Sequence, residues 1–272
     1  MKNLLKLAII LCISLTGAKA FASGGMDSYT VLMLHFNDGF GDESSGSHAV
    51  TTYGDAQIDT ANKKFGAGSA SFDGSGDYLS LPDSADWSFG SGDFTVDFWA
   101  RFNDLTADPA MNFVSQYVDN VNFWSVKKQS PAPSIRNKLQ MYFESTGVKG
   151  DYRMTWGWTD CAVNTWYHLA FVRSGNTGYI FIDGGLQAIT EVTPFSNVGD
   201  IAAPLHIAEL IGSGYVNGYL DEFRISKGIA RWTSNFTPPT EEYGSDAVIP
   251  EPSSLLLLGI GLIGLIKARF KQ

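Results

Sequence analysis

Residues 92–102 read GDFTVDFWARF, and residues 164–184 read NTWYHLAFVRSGNTGYIFIDG. In the first stretch Phe94, Val96 and Phe98 fall on one side of an extended chain, and Thr95, Asp97 and Trp99 on the other. In the second, Trp166, His168, Ala170 and Val172 alternate with Tyr167, Leu169, Phe171 and Arg173. A two-residue period with bulky groups on both sides predicts strands covered on both faces, as between packed sheets. Ser174 to Gly178 and Asp183-Gly184-Gly185 carry the small and polar residues that reverse a chain into a hairpin. In such a strand His168 is expected as a satisfied interior histidine, and Trp232, further on, as a packing residue.

The pattern continues outward. Thr30 to Phe36, Ser69 to Phe72, Tyr78 to Leu81, Asn112 to Tyr117, Phe123 to Lys127, Lys138 to Glu144, Leu205 to Glu209 and Gly218 to Ser226 are short alternating or apolar runs. Gly, Asp, Asn and Ser separate them, helical periodicity is weak throughout, and no fixed repeat stands out. The span 27–243, about 217 residues, suits one all-β antiparallel sandwich rather than two small domains.

The two ends lie outside this domain. Residues 1–22 have a positive start (Lys2, Lys6), an apolar stretch from Leu4 to Leu15 and a small-x-small site at Ala18-Lys19-Ala20, the layout of a secretory signal helix. Residues 248–272 contain Pro250-Glu251-Pro252, an apolar helix from Leu255 to Ile266, and the basic Lys267, Arg269 and Lys271. As a helix, the apolar part spans roughly 18 Å at about 1.5 Å per residue. A hydrocarbon core is about 30 Å thick. The stretch is short for a permanent span and suits a transient one, with its basic end on the cytoplasmic side. In this order of parts the tail resembles the PEP-CTERM sorting signal. The resemblance implies insertion in the inner membrane, cutting by an exosortase near Pro250, Glu251 and Pro252, and release to the cell surface or an exopolysaccharide matrix.

Six of the 19 basic residues (Lys2, Lys6, Lys19, Lys267, Arg269, Lys271) lie in these ends, while all 28 acidic ones lie between Ser23 and Pro252. The body therefore carries 13 against 28, a net charge of −15. That argues against nucleic acid and anionic membrane surfaces as partners and is compatible with divalent cations. Removing Cys12 with the signal segment leaves Cys161, so no intramolecular disulfide can form, and Cys161 is expected as a small buried residue.

LHFND (34–38), SASFDGSGDYLSLP (69–82), GDFTVDFWARF (92–102), NTWYHLAFVRSGNTGYIFIDG (164–184) and GYLDEFRISKGIARW (218–232) succeed one another as strand-and-turn blocks. In that order they resemble the laminin-G-like, concanavalin A-like jelly rolls, over nearly all of residues 31–236. The resemblance implies two antiparallel sheets, one curved, with loops at a rim. It leaves function open, because members serve as lectins, adhesion modules and accessory domains of enzymes.

Three kinds of chemistry have candidates. Calcium takes six to eight oxygen ligands. The stretch from Asn37 to Glu43 is the richest in oxygens, and Asp221, sharing a strand face with Phe223 and Ile225, is expected to point inward, away from Glu222. The family resemblance implies a structural calcium at Asn37 or Asp38, at Asp221 and at carbonyls around Gly74. Alternatively, Asp221 caps backbone N–H groups or pairs with Arg224 or Arg173. Sugar binding has Tyr152, Trp156 and Trp158, aromatic faces beside polar groups, with filling of the core as the other reading. Catalysis has little support: no Glu-x-Asp-x-x-Glu run, no G-x-S-x-G elbow, and His35, His48 and His206 scattered. The expectation is an exported, non-catalytic protein that binds polysaccharide or surface proteins. A structural matrix protein without a specific ligand and a glycosidase are the alternatives.

Overall fold

The computed structural model describes residues 25–106, 110–129, 138–144, 152–189, 191–192 and 198–245. The expected signal helix, the C-terminal apolar helix and the motif Pro250, Glu251 and Pro252 lie outside the described residues. Among the described residues no helix is long and apolar enough to cross a membrane.

The fold is all-β, with two antiparallel sheets of eight strands each. One sheet runs, in spatial order, Glu191–Val192, Tyr152–Gly157, Lys138–Glu144, Asn122–Gln129, Ala110–Asp119, Leu205–Ile207, Tyr78–Leu81 and Thr51–Tyr53. We call it the long-row sheet. The other runs Gly185–Leu186, Thr177–Ile182, Trp166–Ser174, Phe94–Phe102, Asn217–Lys227, Ser69–Asp73 and Gln57–Asp59, with Thr30–Leu34 also paired to Asn217–Lys227. We call it the strapped sheet.

Alternation sets the inner faces. Phe94, Val96, Phe98, Leu169, Phe171, Phe223 and Ile225 of the strapped sheet meet Met111, Phe113, Trp124, Val126, Met141 and Phe143 of the long-row sheet in one continuous core. Phe98 is its hub, with ring centroids 5.0 Å from Phe113 and 5.2 Å from Phe223. Burying each such side chain contributes about 1.5–3 kcal/mol. The hairpin at Asp183-Gly184 has two turn residues, both at positive φ (49° and 74°), the geometry that matches the twist of the flanking strands.

Two irregularities shape the outer side of the strapped sheet. In Asn217–Lys227 the register against Phe94–Phe102 slips between Asp221 and Arg224, with Glu222 at φ 51°. Three steps on one strand oppose two on the other, which is a β-bulge. Leu220, Phe223 and Ile225 keep facing the core. Asp221, paired with Trp99, turns to the outer side, as does Arg224, paired with Asp97. The expectation that Asp221 shares a face with Phe223 and opposes Glu222 is therefore corrected: strict alternation does not survive the inserted residue.

The second irregularity is a strap. Residues 229–245 cross the outer face of this sheet, where Trp232 stacks on Phe236 (centroids 4.0 Å apart) over Ala170, Val172 and Phe181. Trp232 is a packing residue, as expected. At the strap's end Gly244–Ser245 pairs in parallel with Gly25–Met26. The strap thus covers a second apolar layer and makes the outer face of this sheet an interior.

Candidate functional site

The outer face of the long-row sheet is polar and uncovered by any strap among the described residues. Strand pairing aligns Arg153, Tyr142, Ser125, Ser115, His206, Ser80 and Thr51 in a single row across seven strands. Aromatic rings flank the small residues at its middle. On one side Tyr142, Phe123 and Tyr117 succeed one another at centroid distances of 5.4 and 5.7 Å. On the other, Tyr53 stacks flat on Tyr78 at 4.4 Å, and Tyr78 meets His206 at 5.1 Å.

Polar groups furnish the space between. Ser115 donates to the Glu209 carbonyl at 2.8 Å, and Gln129, Gln140 and Thr155 form a chain of hydrogen bonds at 3.0 and 3.1 Å. Ser125 Oγ, Asn112 Oδ1 and Gln129 Oε1 are buried without a hydrogen-bond partner. Unpaired buried polar atoms are uncommon in native folds and call for an explanation such as water or a ligand. Lys127 and Arg153 both lie over the Tyr142 ring, at 5.7 and 4.8 Å. Burial, and then the neighbouring Arg153 charge, hold the Lys127 ammonium below its ordinary pKa.

The sequence candidates for sugar contact fall elsewhere. Tyr152–Gly157 is a strand, and Trp156 pairs with Leu139 on the core side. Trp158 is 2% exposed and packs edge-on against Phe102 and Tyr167 at 6.0 and 4.8 Å. It has no free face to stack on a sugar. Trp156 is half-buried against the same core, and the Tyr152 side chain lies outside the described residues.

Beneath the strap, the strapped sheet holds a buried charged network. Arg224 donates through Nε and Nη2 to the two oxygens of Asp97 at 3.0 and 3.1 Å, and through Nη1 to the Gly25 carbonyl at 3.0 Å. Tyr243 donates its hydroxyl to Asp97 at 2.5 Å, and its ring lies 3.7 Å from the guanidinium. His168 Nε2 stands 3.1 Å from the Tyr243 hydroxyl, so His168 is an interior histidine as expected of its strand, but only half satisfied, because Nδ1 is buried without a partner. Burial opposes ionisation of Asp97. The Arg224 charge and the His168 contact outweigh it and hold the carboxyl well below its usual range.

Beside this network the bulge brings a second set together. His35 Nδ1 lies 2.7 Å from Glu222 Oε1, and the Tyr243 N–H donates to Glu222 Oε2 at 2.7 Å. Glu242, from the strap, is held by the Asn37 amide. Ligand atoms of His35, Glu222 and Glu242 lie within 4.8 Å of one another. Burial works against a protonated His35, but the Glu222 hydrogen bond and the charges of Glu222, Glu43 and Glu242 raise its pKa above the ordinary value.

The residues expected to hold calcium are only partly assembled. Asp221 accepts from the N–H groups of Lys64 and Phe65 at 2.7 and 3.1 Å, and Asn37 Oδ1 accepts from Ala67 N–H, so both are gathered by one loop. Asp38 is exposed, and Gly74 sits beside Asn217, four residues along the strand from Asp221. Arg224 and Arg173 are committed to Asp97 and to backbone carbonyls, so Asp221 caps N–H groups, the alternative left open by the sequence. Of these side chains Asp221 Oδ1 is buried without a partner, one oxygen where calcium takes six to eight. The four residues do not fit a calcium shell. Burial pushes the Asp221 carboxyl up to about 7. The sequence does not group Glu222 and Glu242 with His35, because a bulge and a strap, not spacing, bring them together.

A model of the concanavalin A-like lectin/glucanases superfamily matches residues 73–231, and a model of the PEP-CTERM protein-sorting motif matches residues 248–272. No curated protein matches the sequence. Among solved structures, domain 4 of AbnA, a GH43 extracellular arabinanase from Geobacillus stearothermophilus, in complex with arabinotriose, is 18% identical with a TM-score of 0.56, over 74% of this chain and 93% of that one. The binding domain of Paraclostridial Mosquitocidal Protein 1 is 14% identical with a TM-score of 0.55, over 75% of this chain and 50% of that one. A botulinum neurotoxin type C structure, from work on cell entry dependent upon interaction with two ganglioside molecules, is 14% identical with a TM-score of 0.56, over 76% and 50%. The chain spans about half the length of these toxin chains, and at such identities the likeness is one of fold. With the matched stretch covering more than half of its length, the chain belongs to the concanavalin A-like lectin/glucanases superfamily and carries a PEP-CTERM sorting motif, the mark of an exported protein.

Proposed function

We propose that this exported protein binds carbohydrate, without catalysis, on the outer face of its long-row sheet. The observation that carries the reading is the row from Arg153 to Thr51. It has small hydroxyl residues at its centre, aromatic rings on both flanks and buried polar atoms left unpaired. Aromatic faces pack on the C–H faces of sugar rings, and the half-exposed Arg153, His206 and Ser80 of the row can meet sugar hydroxyls, while Ser115 and Ser125 lie buried at its floor. The arabinotriose and ganglioside contexts of two fold relatives support the ligand class. A host exopolysaccharide is the natural candidate for a protein sorted by a PEP-CTERM motif, with surface proteins as the other class of partner. The non-catalytic reading rests on the engagement of Glu222, 1% exposed and held by His35 and the Tyr243 N–H, which leaves it out of reach of a substrate.

The test is a glycan panel that includes the host exopolysaccharide, probed with the full-length chain purified in detergent. Binding that falls at least about tenfold in Tyr142→Ala and Tyr78→Ala, with unchanged melting, supports the assignment. Binding untouched by both changes removes it, and new reducing ends after long incubation would make the protein an enzyme.

A further inference from the structure

We propose that His35, Glu222 and Glu242 form a site for one divalent transition-metal ion, zinc by its ligand chemistry, which fastens the strap to the sheet. One imidazole nitrogen and two carboxylate oxygens are a donor set that zinc accepts, with a water completing four-coordination. Their ligand atoms lie within 4.8 Å of one another, and His35 Nδ1 and Glu222 Oε1 stand at 2.7 Å. Zinc bonds of about 2.0–2.1 Å in a tetrahedron put neighbouring ligand atoms about 3.4 Å apart, between those two values. Small rotamer shifts therefore admit the ion.

The surroundings are those of a cation site. Glu43 stands 3.9 Å from Nε2, on the far side of the His35 ring, where it can orient the imidazole and strengthen Nδ1 as a ligand. Each glutamate is held at one oxygen by an N–H donor: Glu222 Oε2 by Tyr243, and Glu242 Oε1 by Asn37. Three carboxylates thus face one imidazole, Glu222 buried, Glu242 half-buried and Glu43 half-exposed, and a fourth, under the influence of the Lys64 charge, adjoins them. Asp221 is fully buried on the same face, with Oδ1 unpartnered. Buried negative charge in excess of nearby positive charge is costly unless a cation offsets it.

The three ligands come from the end of the first long strand, from the bulge and from the strap. Bound metal would cross-link segments far apart in sequence and hold Glu242 and Tyr243 down over the Asp97–Arg224 pair. The site is independent of the sugar-binding face, which lies on the other sheet.

The experiment uses the tag-free full-length chain, purified in detergent and stripped with EDTA. Zinc is expected to bind at one ion per chain by calorimetry. At about a hundredfold over its Kd it should raise Tm by about 5–10 °C. Cobalt in its place should show visible absorption bands of a low-symmetry site. Glu242→Gln, at the half-buried edge of the cluster, should weaken zinc at least about tenfold with little change in apo Tm, and His35→Gln should abolish the cobalt bands. The proposal is overturned if zinc binds without stoichiometry, if Glu242→Gln and His35→Gln bind it as tightly as the parent, or if calcium alone raises Tm.

Discussion

Arg224 and Asp97 meet fork to fork beneath the strap, two hydrogen bonds of 3.0 and 3.1 Å between fully buried side chains. Taking one partner away strands the other as an uncompensated buried charge. Arg224→Met is expected to destabilise the domain by about 3–5 kcal/mol. The double change Asp97→Leu with Arg224→Met should recover part of that loss. Urea melts of the two single variants and the double decide it, and a double variant costing the full sum of the singles would sink the argument.

Asp42 sets an acid limit. Burial opposes its ionisation, but N–H groups of His48, Met33 and Ser44 at 2.8, 3.0 and 2.9 Å outweigh it and lower its pKa from the ordinary 3.8. A carboxyl whose folded pKa is depressed contributes stability that is complete above the ordinary value and lost as pH falls through the folded one. The stability gap between the parent and Asp42→Asn should be widest above pH 3.8 and close below it. A gap that persists unchanged into acid contradicts this.

Trp158 and Trp156 should separate in effect. Trp158→Ala empties a core position and is expected to cost about 3–5 kcal/mol. Trp156, half-buried at the sheet's end, should cost less. Thermal melts of the two variants check the order.

Cys161 should be inert while the protein is folded. Burial pushes its thiol up to about 12, despite the opposing charge of Lys128. Only thiolate reacts. Iodoacetamide at pH 8 is expected to label the native chain on the order of a hundredfold more slowly than the urea-unfolded chain, as monitored by intact mass.

Gly184 couples the hairpin to the strap. It sits at φ 74°, and a Cβ there would meet the Phe236 carbonyl oxygen at 2.0 Å. Gly184→Ala is expected to cost about 1–3 kcal/mol and to open residues 229–245 to limited proteolysis. A variant with the parent's digestion pattern would show that the strap tolerates displacement.

Much of this architecture was legible in the chain. Tyr78–Leu81, Phe94–Phe102 and Lys138–Glu144 begin and end where their alternation predicts, and the other expected strands differ by a few residues at their ends. These runs succeed because a face buried against a neighbour leaves a two-residue signature. Thr51–Tyr53 and Gln57–Asp59 carry little apolar signal and owe their form to the strands beside them. The metal-type cluster was illegible for another reason. Glu222 reaches His35 through a bulge at positive φ, and Glu242 arrives from 20 residues further on, so no local spacing announces them. The polar row likewise draws its members from seven strands, one residue apiece, and a linear reading favours clustered Trp156 and Trp158 instead.

The parallel pairing of Gly25–Met26 with Gly244–Ser245 also governs timing. Gly25 and Met26 find their partners only once Gly244 and Ser245, at the far end of the domain, are in place. Thr30–Leu34 waits in the same way for Asn217–Lys227. Such long-range closures are slow steps, because the chain must first lose the freedom of the intervening loop. The strapped sheet therefore cannot close before both ends of the domain are present.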